Sequence, residues 1–192
     1  MRIFAAIDIS VHARRQASKY IERLGVEFPY TRVSWTKPEK LHLTLKFLGE
    51  TDDEQLRKFT EAVEQTAKKV SPFDLQICGA GVFPSARNAR VLWLGVSDEN
   101  NNLRKLSEIL ETQCERRGFA REDRRFKAHL TIARLKQRPD ELLIREHLNS
   151  IFPPFPPFQA SEITIYASKL QPQGSIYETI SKHKFYLVNT ES

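Results

Sequence analysis

Apolar positions recur along this chain with two periods, and the periods predict its elements. Residues 2–8 form an apolar run bounded by polar residues, which predicts a strand ending at Asp8. Ser10 can cap a following helix whose inward stripe is Val11, Ala17, Tyr20, Ile21 and Leu24, with Gly25 as its stop. Residues 33–35 read as a short extended piece before Pro38. Over residues 40–49, Leu41, Leu43, Leu45 and Phe47 alternate with His42, Thr44 and Lys46. That period of two predicts a strand with one buried and one polar face.

Thr51 with Glu54 matches a capping box and opens a helix to about residue 70, with Leu56, Phe59, Val63 and Val70 on one face. Strands follow at 73–81 and 89–96, separated by a loop over 82–88. Ser97 or Asp98 starts another helix, with Leu103, Leu106, Leu110 and Cys114 inward and Gly118 as its end. A basic stretch over 116–127 leads into a strand at 126–133. Pro139 marks the start of a helix running to about residue 149. After a proline-rich link at 151–158, strands are expected at 162–170 and 176–188, with turn chemistry between them at 171–175.

One pattern occurs twice. His-Leu-Thr-Leu at 42–45 returns as His-Leu-Thr-Ile at 129–132, 87 positions later, within the same succession of strand, helix, His-x-Thr strand, helix and strand. Two similar halves of about 90 residues each fit the length of 192. The expected fold is α+β: one unit over residues 1–192, bilobal, with two pseudo-symmetric lobes of mainly antiparallel sheet facing each other across a central cleft.

Composition narrows the class. Apolar residues make up 40% and aromatics 10%, distributed along the whole chain, which excludes low-complexity disorder. No run approaches the ~18 apolar residues of a membrane span, and Asp8 comes too early for a secretory signal. Two cysteines, Cys78 and Cys114, are too few for a disulfide framework or a zinc cluster, so a reducing, cytoplasmic setting is expected. The 30 basic residues exceed the 24 acidic ones, for a net charge of +6. That balance suits a phosphate-bearing partner and equally suits an ordinary soluble surface.

The doubled motif carries the chemistry. Residues i and i+2 of a strand share a face, so His42 projects with Thr44 and His129 with Thr131. Facing lobes would present two imidazoles and two hydroxyls to one small group. A histidine pair can hold one member neutral as base and the other protonated as acid, which suits in-line displacement at phosphorus. Threonine hydroxyls can donate to the non-bridging oxygens. The carboxylate clusters of two-metal sites are missing around both motifs, and His42 with His129 lacks the third ligand zinc requires, so no metal and no cofactor is expected. His12, His147 and His183 lack the motif and read as surface residues.

At these residues the chain resembles the 2H phosphoesterase superfamily, and within it the LigT-like RNA 2′,3′-cyclic phosphodiesterases, also described as 2′-5′ RNA ligases. The resemblance covers nearly the whole length. It includes Arg2-Ile3-Phe4-Ala5-Ala6-Ile7, Trp35 ahead of the first motif, and Leu41-His42-Leu43-Thr44-Leu45-Lys46-Phe47-Leu48-Gly49. It continues through Gly81-Val82-Phe83-Pro84, Arg90-Val91-Leu92-Trp93 and His129-Leu130-Thr131-Ile132-Ala133-Arg134, and closes on Leu170-Gln171-Pro172-Gln173-Gly174 with Tyr177.

The resemblance implies metal-independent hydrolysis of RNA 2′,3′-cyclic phosphate ends to 2′-phosphates, with 2′-5′ ligation as the reverse reaction. It implies His42 as general acid, His129 as general base, Thr44 and Thr131 as phosphate ligands, and Arg134 turned to the phosphate by a bulge or strand end. Residues alone leave the two histidine roles interchangeable. Lys46, on the face of His42 and Thr44, either adds positive potential or is simply solvated. Phe47, Phe83 and Trp35 are candidates for stacking on a base, with core packing as the competing role. Arg87, Arg90 and the 116–127 run are candidates for following the RNA backbone. No membrane partner is expected, and a closed two-lobed unit gives no reason for more than a monomer. Two rival classes remain: a phosphodiesterase for 2′,5′-linked oligonucleotides or small cyclic nucleotides, and a non-catalytic module that binds RNA ends. A matched acid–base pair argues against the module.

Overall fold

A computed structural model of the chain describes residues 1–29, 32–137, 140–150, 155–169 and 175–186. Strand β1 (Arg2–Asp8) leads into helix α1 (Val11–Glu27), where the Ser10 hydroxyl accepts from the Ala13 amide. Such a cap stabilises a helix by about 1 kcal/mol. Then come β2 (Val33–Trp35), β3 (His42–Glu50), α2 (Asp53–Ala67), β4 (Phe73–Phe83) and β5 (Val91–Ser97). The chain continues with α3 (Asn102–Glu115), β6 (His129–Leu135), α4 (Glu141–Asn149), β7 (Phe158–Ala160), β8 (Glu162–Lys169) and β9 (Ile176–Lys184).

The strands form one curled antiparallel sheet in the order β7-β4-β5-β6-β3-β1-β8-β9, with β2 added to β6. The fold is α+β. Strands β3 and β6 meet through one register pair, Leu43 opposite Leu130, the central residues of the two His-x-Thr motifs. On one side of this crossing lie β1, β8 and β9; on the other lie β5, β4 and β7. Apolar faces of the helices close the sheet from behind. Helix α2 packs on α3 and on β8 and β9, whereas α4 packs on β4. Ile3, Leu43, Phe59, Leu92, Leu106 and Leu130 are among the fully buried side chains of the single apolar cluster that results.

The halves of the sequence are not the halves of the fold. β4, from the first half, pairs with β5, and β8, from the second, pairs with β1; β2 likewise crosses to β6. Each half thus lends strands to the other, which local periodicity cannot reveal.

Several boundaries differ from the sequence expectation for local reasons. The capping box of α2 is Asp52 with Gln55, while the Thr51 hydroxyl turns back to the Gly49 carbonyl. Helix α1 continues through Gly25, where a β-carbon would make only ordinary contact with the Trp35 indole nitrogen at 3.6 Å, so this glycine neither stops the helix nor is required there by crowding. Val11, expected inside, is 75% exposed. Helix α3 begins after the Asp98 carboxylate, which accepts from the Asn102 and Leu103 amides. Asp140 caps α4; Pro139 and most of the predicted 171–175 turn lie outside the described residues. β7 begins at Phe158, the last residue of the proline-rich link, and adds a strand that the sequence pattern did not predict.

Candidate active site

The geometry of the cleft follows from two matching irregularities. On β3, Ala5 pairs with Lys46 but Ala6 with Thr44, so Leu45 is an extra residue in the ladder. On β6, Leu92 pairs with Ala133 but Trp93 with Thr131, so Ile132 is extra in the same place. A bulge of this kind shifts the alternation by one. The residue five positions after each histidine therefore rejoins the histidine's face. Those residues are Phe47 and Arg134, and both line the cleft with His42, Thr44, His129 and Thr131.

Lys46 moves the other way, which corrects the expectation that it shares the polar face. The bulge turns it beneath the sheet, where it is 6% exposed and reaches both Glu111 carboxylate oxygens at 2.8 Å and the Ala120 carbonyl at 3.0 Å. Its charge is neutralised there and adds nothing to the cleft.

The two imidazoles are held identically. Nδ1 of His42 lies 2.7 Å from the Lys40 carbonyl, and Nδ1 of His129 lies 2.7 Å from the Lys127 carbonyl. A carbonyl only accepts, so each Nδ1 carries the proton and each Nε2 is the nitrogen left for the cleft. Aromatic walls then fix the rings. Phe4 stacks on His42 at 4.8 Å, and Tyr177 meets it edge-on at 5.3 Å. Phe83 meets His129 edge-on at 5.0 Å and packs against Trp93. The Lys127 ammonium sits 4.3 Å above the Trp93 ring.

Burial is the main force on both imidazoles and pushes each below the ordinary value of 6.5, because desolvation penalises the charged form. The backbone carbonyl opposes it in both cases. Beyond these shared causes the surroundings diverge: at His42 the Asp8 carboxylate raises the value against the lowering effect of Arg14 and His129, whereas at His129 the Lys127 and Arg134 cations only lower it further.

The cleft encloses about 480 Å³, and among the described residues its lining includes the cations Arg2, Lys40 and Arg134 and no carboxylate. Ser168, Thr36 and Tyr177 supply further hydroxyls. Such a lining suits an anion with an apolar group attached. Phe47 is 47% exposed, with the Arg2 guanidinium 5.2 Å over its ring. Of the other stacking candidates, Trp35 packs on the core cluster and Phe83 forms part of the wall behind His129. Arg90 reaches the Gln137 carbonyl, and Arg87 sits beside α4. In the 116–127 run, Arg121 pairs with Glu115 and Lys127 joins the aromatic wall.

Phe4, Arg2 and Asp8 escaped notice in the sequence because they share one apolar run. A period of two from Arg2 through Phe4 and Ala6 to Asp8 was the available signal. His147, expected at the surface, is fully buried: Nε2 meets the Gly81 carbonyl at 3.0 Å and Nδ1 the Tyr20 hydroxyl at 2.8 Å. Its spacing of four from Leu143 on α4 would have placed it inward.

A curled sheet that presents two strand-borne His-x-Thr pairs to one cationic cleft defines a two-histidine phosphoesterase architecture. The 2′-5′ RNA ligase superfamily matches residues 14–171. An RNA 2′,3′-cyclic phosphodiesterase of Thermotoga maritima is 35% identical over 190 residues, covering 96% of each chain. Among solved structures, TT0787 of Thermus thermophilus superposes with a TM-score of 0.80 at 25% identity, covering 96% of this chain and 98% of that one. Escherichia coli LigT complexed with 3′-AMP gives a TM-score of 0.74 at 25% identity over 96% and 97% of the two chains. The chain belongs to the 2′-5′ RNA ligase superfamily.

Proposed function

We propose that this chain hydrolyses RNA 2′,3′-cyclic phosphate ends to 2′-phosphates by two-histidine acid–base catalysis, acting as a single two-lobed monomer. The observation that carries the reading is the matched tethering of His42 and His129 through Nδ1, which aims two Nε2 atoms into a cationic cleft beside two threonine hydroxyls. Nε2 of His129 takes a proton from water as the water oxygen bonds to phosphorus. The bond from phosphorus to O3′ breaks in line, and His42 gives its Nε2 proton to the departing O3′. Thr44 and Thr131 donate to the non-bridging oxygens, and Arg134 offsets the charge that grows on them. One proton exchange with solvent then resets the pair.

Since His42 serves O3′, the terminal ribose belongs on its side of the cleft, and Phe47 offers the exposed ring on which the base stacks. A 5′-hydroxyl in place of water would form a 2′-5′ linkage by the reverse of the corresponding cleavage. The relatives named as RNA 2′,3′-cyclic phosphodiesterases, and LigT with bound 3′-AMP, support an RNA-end substrate. The unpaired Cys78 and Cys114 fit a reducing cytoplasm.

The test is turnover of a short RNA bearing a 2′,3′-cyclic phosphate in excess EDTA, with product ends mapped and a cyclic mononucleotide beside it. Formation of a 2′-phosphate, reduced about 10²-fold or more in each of His42→Ala and His129→Ala, is the expected result. Tight binding without turnover would replace the reading with an end-binding module, and activity only on added metal would end the mechanism. Because both imidazoles lie below 6.5, kcat/KM should form a bell centred on the acid side of that value. The bound anion favours both protonated forms, so the kcat profile should sit at higher pH.

A further inference from the structure

We propose that Asp8 is a positioning residue that keeps the mobile proton on His42 and so decides which of two equivalent histidines is the acid. The inference rests on the reaction proposed above and concerns an asymmetry that reaction needs. The sheet makes the two histidines interchangeable: same motif, same bulge, same carbonyl tether, same crossing point. Some residue must tell them apart.

The ladder shows where. Asp8 is the register partner of His42 on the neighbouring strand, and at the matching position Gly95 is the partner of His129. Directly opposed residues of an antiparallel pair project from the same face. One histidine therefore has a carboxylate beside it where the other has a hydrogen atom. No larger residue fits at the second position without movement, since a β-carbon on Gly95 would lie 2.4 Å from the Cys78 carbonyl oxygen.

Asp8 is also held in place. It accepts from the Tyr166 hydroxyl at 2.7 Å and from the Thr164 hydroxyl at 3.1 Å, both on β8. Burial and Asp8 together push the Tyr166 phenol well up, so it stays a donor. Other groups around His42 are Arg14 of α1 and His129 of β6, which disfavour its charge, Lys40 and Tyr177 of the cleft lining, and the Tyr166 ring 6.3 Å away. Asp8 is the anion among them. Around His129 stand Lys127 and Arg134, both cations. Cations thus stand near both imidazoles, Arg14 and Lys40 by His42 and Lys127 and Arg134 by His129, but only His42 has a carboxylate at its register position to offset them, and that difference favours the proton on His42.

The experiment is an NMR titration of both imidazoles in histidine-labelled protein, wild type against Asp8→Asn, with pH profiles of turnover alongside. In the wild type His42 should titrate above His129. In Asp8→Asn the His42 midpoint should fall by about one pH unit while His129 stays in place, and the alkaline limb of kcat/KM should move down with it. Asp8→Glu, which keeps the charge, should restore most of the difference. Asp8→Ser carries the same titration should the amide not be tolerated. An unmoved His42, or two histidines moving together, overturns the proposal. A selective His42 shift in Asp8→Asn, alongside a wild type that opens no cyclic phosphate, would instead leave the Asp8 bias standing and remove the reaction. Turnover with an unmoved His42 would do the reverse.

Discussion

Lys46 and Glu111 show what one buried residue pair does for a site it does not touch. The pair is nearly excluded from water, and it also orders the segment ahead of β6: Lys46 donates to the Ala120 carbonyl, and Glu111 accepts from the Glu122 amide. Removing one partner leaves a buried charge unanswered, at a typical cost of about 3–5 kcal/mol. Lys46→Met should therefore lower unfolding free energy by about that amount in denaturant melts. Well below the melting temperature, kcat/KM should stay within about threefold of wild type, equivalent to under ~1 kcal/mol. A large rise in KM with unchanged stability would place the lysine at the substrate after all. The alternation of Leu41, Leu43, Leu45 and Phe47 pointed to a polar-face Lys46, and only the bulge reverses it. No residue type marks that bulge, because Leu45 and Ile132 are ordinary apolar strand residues.

Elements meet around His147 in the same way. This side chain ties α4 to the Gly81 carbonyl of β4 and to Tyr20 of α1, and β4 at that point backs the Trp93 wall of the cleft. A β-carbon on Gly81 would lie 2.1 Å from the Trp93 ring, so strand, indole and helix are fitted to one another. His147→Leu removes both hydrogen bonds and should cost about 2 kcal/mol. Burial depresses this imidazole, so the unfolded chain binds protons more readily as pH falls through 6.5. Wild-type stability should accordingly decline on acidification below that value, and the Leu variant should decline less steeply; equal slopes would count against a neutral buried His147. At this scale the sequence was readable where the period was local. The strands around both motifs, the stripe of α3 and the turn of α1 over Ser10 all follow from spacing. The cap of α2 falls one residue later than expected because the Thr51 backbone pairs with distant Met1, whereas the inward face of His147 was legible in its spacing from Leu143.

Strand exchange governs the whole molecule. β1 and β3 are completed by β8, and β5 and β6 by β4, so each part of the sheet needs strands from both halves of the sequence. Residues 1–89 and 90–192, produced separately, should show little protected structure. Mixed or co-expressed, they should associate and recover the two-histidine cleft, seen by hydrogen exchange and by turnover. A fragment that folds alone would contradict the exchanged arrangement. This is also why the doubled motif was visible in the sequence while its consequence was not: repeats declare likeness, but the pairing of β1 with β8 is a long-range choice.

The crossing of Leu43 with Leu130 lies where a two-fold axis would pass if the halves were separate, identical chains. Such a dimer would bury the same sheet and present the same two imidazoles, yet every position would be copied across the axis. A carboxylate beside one histidine would appear beside the other, and no proton could prefer either side. Joining the halves in one polypeptide frees the copies to differ, and the pair Asp8 and Gly95 is where that freedom meets the chemistry.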